Sequence, residues 1–146
     1  MNSKPGTYVI MLRCDAERHL QVGRWGSLDV QPGYYLYVGS AFGPGGLLAR
    51  VARHCRGSVR KHWHIDYLRE AASPVYAWYS HSAQRLEHRW ASALGKLRWT
   101  TPIEGFGCTD CQCETHLFFS ASEPDLAAFA RRARCKVSSI DCAALA

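Results

Sequence analysis

The sequence predicts an α+β fold: a small antiparallel β-sheet flanked by helices, with a further strand and helix towards the C-terminus. Three observations carry this. Gly6 to Leu12 (GTYVIML) alternates as a half-buried strand does. Pro32 to His54 (PGYYLYVGSAFGPGGLLARVARH) opens as a tyrosine-rich strand, crosses a glycine-rich loop and resumes with helical spacing. Leu86, Trp90, Ala93 and Leu97 then recur along one face of a helix. A chain of 146 residues fits a single domain, 1–146, large enough to bury its own core.

The elements follow in order. In the first strand Tyr8, Ile10 and Leu12 share one face, and Thr7, Val9 and Met11 the other. Cys14 to Arg18 is a polar turn, His19 to Gly23 a short second strand, and Trp25 to Gly33 carries turn chemistry. Tyr34 to Val38 suits a pleated strand. Gly39, Gly43, Pro44, Gly45 and Gly46 end it and supply a turn whose backbone can approach a ligand. The simplest assembly is a three-stranded antiparallel sheet of these strands with the next helix packed across it. On that helix Leu48, Val51, Ala52 and Cys55 gather on one side, and Arg50, Arg53, His54 and Gly57 on the other. Arg50 and His54 stand one turn apart, side by side, as a phosphate site requires.

Downstream, a basic connection (Ser58 to His62) leads to a short helix over His64 to Ala71, where Ile65 and Leu68 share a face. Pro74 to Tyr79 reads as a strand, and Ser82 as the N-cap of the next helix. On that helix Glu87 sits at the edge of the apolar stripe between Ala83 and Ala91, where small neighbours allow partial burial. Pro102 to His116 is a loop and Thr115 to Ser120 a last strand. Ser122 with Asp125 forms a capping box for a helix from Leu126 to about Cys135. The tail after Val137 carries no functional signal.

The formal charge is +6. No acid lies between Asp29 and Asp66, where Arg50, Arg53, Arg56, Arg60 and Lys61 fall; Arg131, Arg132, Arg134 and Lys136 form a second cluster. Clustered positive charge is the footprint of a phosphate-backbone binder. The longest apolar run is too short for a membrane span and no signal-peptide core is visible, so a cytoplasmic protein with no membrane partner is expected. Seven cysteines, an odd number, point to reduced thiols or a metal site more than to a disulfide framework.

Gly6-x-Tyr8, then Tyr37-Val38-Gly39, then Arg50 and His54, followed by WHIDYL (Trp63 to Leu68) and GFGCTDCQCETHLF (Gly105 to Phe118), resembles the GIY-YIG nuclease superfamily. The match is to its small Uri-type branch, formerly an uncharacterised-domain family, and it runs from Gly6 to about Phe119. The resemblance implies a GIY-YIG-like core and a metal-dependent endonuclease that hydrolyses phosphodiester bonds in DNA. It places Tyr8 and Tyr37 near the attacking water, Arg50 on the phosphate, His54 as a proton-transfer or positioning residue, and Glu87 on a single Mg²⁺ or Mn²⁺. Gly39, Ser40, Arg53, Lys61, His62 and His64 are the candidate nucleic-acid contacts. The form of DNA, whether single-stranded, duplex or branched, is left open, and RNA remains a candidate partner. Many relatives carry an active-site Asn after the Glu; here the single asparagine is Asn2, and His64, Asp66 and Asp110 are the candidates to replace it.

Phosphodiester hydrolysis needs an activated water, a cation against the developing charge and a stabilised leaving oxygen. A tyrosine can serve as base only if its pKa falls well below about 10, and neighbouring Arg and metal charge would push it down. Cys108, Cys111, Cys113 and His116 offer zinc-type ligands. The Cys111-x-Cys113 spacing sends its side chains to opposite sides of an extended backbone, and the resembled family has Ser where Cys108 stands. Zinc at Cys111, Cys113 and His116 is therefore the lesser reading, and a packed loop bordering the active site the greater. A different functional class also fits the pattern: a non-catalytic nucleic-acid-binding module using the same basic, tyrosine-lined face.

Overall fold

Strands β1 (Gly6–Cys14) and β4 (Gly33–Ala41) pair antiparallel along their whole length, from Gly6 opposite Ala41 to Cys14 opposite Gly33. Both are buried on both faces, which explains their nearly unbroken apolar and aromatic runs. The computed structural model describes residues 1–57, 60–61, 63–106 and 115–145. Among these, β5 (Ser73–Ser80), β6 (Thr101–Pro102), β7 (Leu117–Ser120) and β8 (Ser138–Asp141) complete a six-stranded antiparallel sheet in the order β6-β7-β4-β1-β5-β8. The sheet is flanked by α1 (Gly46–Arg56), α2 (His64–Leu68), α3 (Glu87–Gly95) and α4 (Leu126–Ala133).

The alternation expected for β1 sorts the core into two layers. Tyr8, Ile10 and Leu12 join Tyr35, Tyr37, Leu47, Val51, Ile65 and Leu68 on the face covered by α1 and α2. Val9 and Met11 join Leu36, Val38, Trp78, Trp90, Leu94 and Phe129 beneath α3 and α4. The placement of Tyr8 and Glu87 in different layers follows from this split.

Several expectations are corrected. His19 to Gly23 does not enter the main sheet. The strand there, β2 (Arg18–Val22), pairs with β3 (Gly26–Val30) as a separate hairpin, and the third core strand is β5. Trp25 to Gly33 is thus not all turn: Leu28, opposite Leu20, and Val30, opposite Arg18, alternate inward. The reversal is tight because Gly23 and Gly26 take φ +48° and +133°, so β2 meets β3 before it can reach β1. Ser82 does not cap α3; its Oγ accepts from Gln84 N in the preceding turn, and α3 begins at Glu87. In place of a Ser122–Asp125 box, Asp125 alone caps α4, its carboxylate accepting from Ala128 N at 3.2 Å. Helix α4 stops at Ala133 because Arg134 turns left-handed, with φ 56°.

The tail also has a structural task. Strand β8 adds to β5, and the following 3₁₀ turn, Cys142–Leu145, carries Cys142 to a disulfide with Cys55 on α1. Reduced thiols were the expectation; of the described cysteines, Cys14 and Cys135 are free. No helix among the described residues is long and apolar enough to cross a membrane.

The disulfide joins positions separated by 87 residues, so it removes much conformational freedom from the unfolded chain. Cys142→Ser should lower unfolding free energy by about 2–4 kcal/mol in urea without reductant. Dithiothreitol should bring the parent protein down to the variant and leave the variant unchanged.

Candidate active site

Tyr8 faces Gly39 across the β1–β4 pair, and Tyr37 lies opposite Ile10, so the two tyrosines are diagonal neighbours on one face. The Tyr8 ring lies over Gly39. A Cβ there would stand 2.5 Å from the phenolic oxygen, so the strand needs glycine at this point. Gly39 is therefore buried packing beneath Tyr8 and not an open ligand contact.

Helix α1 covers the same face, in a rotation that differs from the expected one. Leu47, Val51 and His54 point inward, while Leu48 is 38% exposed. His54 is only 1% exposed, so it is no part of a solvated cationic face. Its Nε2 lies 2.9 Å from the Tyr8 hydroxyl, and its Nδ1 is buried without a hydrogen-bond partner among the described residues. The glycine-rich loop is not a phosphate cradle either. The first amides of α1, Leu47 N and Leu48 N, donate to Lys4 O and Asn2 O of the N-terminal arm. At Gly46 a Cβ would meet Ser3 O at 2.1 Å, so this glycine admits the arm. Asn2, the lone asparagine, serves in that anchoring.

Arg50 donates to Ser40 O at 3.1 Å and its guanidinium lies 4.7 Å from the Trp63 ring centre; Arg53 lies 4.3 Å from the same ring. Trp63, to which the sequence reading gave no role, is a cation–π platform between the two arginines. Its backbone N–H donates to Asp66 Oδ2, and Arg53 makes a two-point ion pair with Asp66 at 3.1 Å to each oxygen. Arg53 and Asp66 are thus occupied with each other. Lys61 pairs with Glu70 at 2.6 Å on the surface, and His64 packs against Phe106 and Trp25. His62, Cys108, Asp110, Cys111 and Cys113 lie outside the described residues.

Glu87 comes from the opposite layer. Leu86 N donates to Thr7 Oγ1 at 3.4 Å, fastening the start of α3 beside Tyr8. The Glu87 side chain is 19% exposed and lies 3.5 Å from His116 Nε2. His116 is held in turn by backbone bonds from Val38 N and to Phe106 O, which put it next to Tyr37. His116, not His64 or Asp66, is the described side chain standing beside the carboxylate.

The electrostatics run against the simplest expectation for the tyrosines. Burial pushes the Tyr8 hydroxyl well above its ordinary range, outweighing the downward pull of Arg50, while Glu87 adds to the rise. Burial does the same to Tyr37, assisted by Tyr8, Glu87 and Asp66. Neither is a resting phenolate. Burial pushes His54 down to about 3 despite the upward pull of Asp66, with Arg53, Arg50 and Arg69 adding to the fall. Burial also lowers His116, against Glu87. The site at rest is a neutral phenol bonded to a neutral imidazole, an arginine on an indole, and a carboxylate beside a second imidazole.

A family model for a domain of unknown function, DUF123, matches residues 7–138. The chain belongs to the DUF123 family. No curated protein and no solved structure matches it. The DUF123 span takes in every side chain of this cluster from Tyr8 to His116, whereas Cys142 falls beyond it. No cluster of three or more metal-ligating side chains occurs among the described residues of this DUF123 chain.

The buried His54 has a consequence for stability. Its pKa is near 3 folded and ordinary when unfolded, so the unfolded state binds the extra proton. Stability is complete above about pH 6.5 and is lost as pH falls towards 3, at up to about 1.4 kcal/mol per pH unit. His54→Gln should lose about 2 kcal/mol less than the parent between pH 7.5 and pH 5, read from urea midpoints.

Proposed function

We propose that this protein is a metal-dependent endonuclease that hydrolyses phosphodiester bonds in DNA. The observation that carries the reading is the buried Tyr8–His54 hydrogen bond, 2.9 Å long, whose phenol feels the charges of both Arg50 and Glu87. The sequence resemblance to GIY-YIG nucleases supports it independently.

The donor set fits one hard divalent cation. Glu87 is largely buried, and no cationic side chain of the described residues forms an ion pair with it; His116 is its neighbour and is shifted towards the neutral form. Mg²⁺ is commonly held by one or two carboxylates together with substrate phosphate and water, so a cluster of three protein ligands is not needed. When bound at Glu87 the ion would polarise the phosphate and stabilise the leaving 3′ oxygen. His116 would orient the Glu87 carboxylate, the place for which an asparagine was sought.

Arg50 would bind the scissile phosphate or its neighbour through guanidinium N–H donors left over from Ser40 O. Trp63 fixes its plane. The raised tyrosine pKa argues for Tyr8 as a relay and His54 as the final proton acceptor. In that arrangement the Tyr8 O–H donates to His54 Nε2, which leaves a phenolic lone pair facing the attacking water. As the water oxygen bonds to phosphorus, its proton passes to the Tyr8 oxygen and the Tyr8 proton to Nε2. The P–O bond to the leaving group then breaks. Phosphate at Arg50 would offset one of the charges that holds His54 down, so substrate binding itself makes the imidazole a better acceptor.

Glu87→Ala and Arg50→Ala should each lower cleavage of labelled DNA in Mg²⁺ by roughly 100-fold or more while the melting curve stays cooperative. Parent-like cutting in either variant would sink the assignment. Binding that persists in EDTA, with no product under any divalent ion, would instead move the protein to the non-catalytic nucleic-acid-binding class.

A further inference from the structure

The cations of the Tyr8 face are balanced only in part, since Arg50, Arg56 and Arg60 form no ion pair among the described residues. On the Tyr8 face Arg53 is paired with Asp66 and Lys61 with Glu70. On the other face a groove between α3 and α4 is lined by Arg89, Ser92, Lys96, Arg131, Arg132 and Arg134, and Arg98 and Trp99 line its continuation. None of these six cations makes an ion pair with an acidic side chain among the described residues. Among the described residues, acids are also absent from the lining itself.

Helix dipoles account for part of this. Arg131 and Arg132 lie in the last turn of α4, where positive charge is favoured. Arg89 is the exception. It stands in the first turn of α3, where the dipole repels a cation, yet its guanidinium donates to Arg134 O at 2.9 Å and is held facing the other arginines. A convergence of like charges without carboxylates raises the local potential and suits a polyanion.

The groove is joined to a cleft that begins one residue past Glu87 on α3. Glu87 opens α3, and a cleft lined by His88, Ser92, Lys96, Thr115 and Phe118 leads along the helix; Ser92 and Lys96 line both cleft and groove. From Glu87 to Lys96 the helix advances about 13 Å at about 1.5 Å per residue, the axial rise of about four base pairs.

We propose that the α3–α4 groove is a second nucleic-acid contact surface, which holds the sugar–phosphate backbone about four base pairs to one side of the bond positioned at Glu87. The proposal rests on the endonuclease reading and adds where the substrate's flank lies. Contacts here go to phosphates, so they add affinity without sequence preference.

The test compares two double variants that remove equal charge: Arg131→Gln/Arg132→Gln in the groove, and Arg18→Gln/Arg24→Gln on the separate hairpin. All four side chains are exposed, so the fold should be kept, and melting curves check this. Binding of a fluorescein-labelled 30-base-pair duplex is measured in EDTA from 50 to 300 mM KCl, and cleavage in Mg²⁺. The groove variant should flatten the slope of log K against log salt by about 1.8, at about 0.9 per lost phosphate contact. It should also raise KM with kcat retained on the 30-mer, and cut a duplex ending within four base pairs of the cleavage point as the parent does. The hairpin variant should leave slope and KM unchanged. Equal behaviour of the two variants overturns the groove while the nuclease stands. A parent protein that neither binds nor cuts DNA overturns both.

Discussion

The site is organised by one antiparallel register, Tyr8 opposite Gly39. Because β1 and β4 are buried on both faces, the only space available to the Tyr8 ring is across its neighbour, and that neighbour must have no side chain. The ring then fixes the hydroxyl, and the hydroxyl fixes His54 at 2.9 Å. Helix α1 must rotate to bring His54 inward, which takes Leu48 out to solvent and leaves Arg50 at the rim. A slip of one residue in β1 would turn Tyr8 to the α3 face and break its bond to His54.

Burial sets the chemistry at this register more than any single charge does. Arg50 draws the Tyr8 pKa down, as expected for a phenol beside a guanidinium, but desolvation is larger and of opposite sign. The same desolvation drives His54 down. A tyrosine kept as phenol and a histidine kept as free base are matched partners for a hydrogen bond. Under the proposed function, a phosphate at Arg50 would change the local field that holds the pair in these forms.

The sheet was legible in the sequence where alternation was long and both neighbours were strong, as in β1, β4 and β5. It was misread at β2 and β3, because Leu28 and Val30 are separated by a single polar residue and bracketed by turn formers. The Arg50–His54 pair was visible as an i, i+4 spacing, but the spacing could not tell which side of α1 faces the sheet. Leu48 and His54 exchanged roles because hydrophobicity alone favours burying leucine. The hydroxyl of Tyr8, invisible in a helical projection, gives His54 its reason to be buried. Trp63 was visible only as part of a matched motif and His116 only as part of a loop bordering the site; their particular partners, two guanidiniums and the Glu87 carboxylate, required three dimensions. The Cys55–Cys142 bridge had no sequence signal, since parity and compartment argued against it.

Helix α3 explains why a carboxylate from one layer can serve a site in the other. Thr7 and Tyr8 are consecutive on β1, so their side chains point to opposite faces. Thr7 accepts from Leu86 N on the α3 side, while Tyr8 meets His54 on the α1 side. One dipeptide thus clamps both layers at the same end of the sheet. Glu87, one residue past the clamp, is held close enough to raise both tyrosine pKas. Its position is then set by strand geometry rather than by a flexible loop, which is the condition for a single carboxylate to place a cation against a phosphate reproducibly. The same clamp orients α3 so that its far end meets α4.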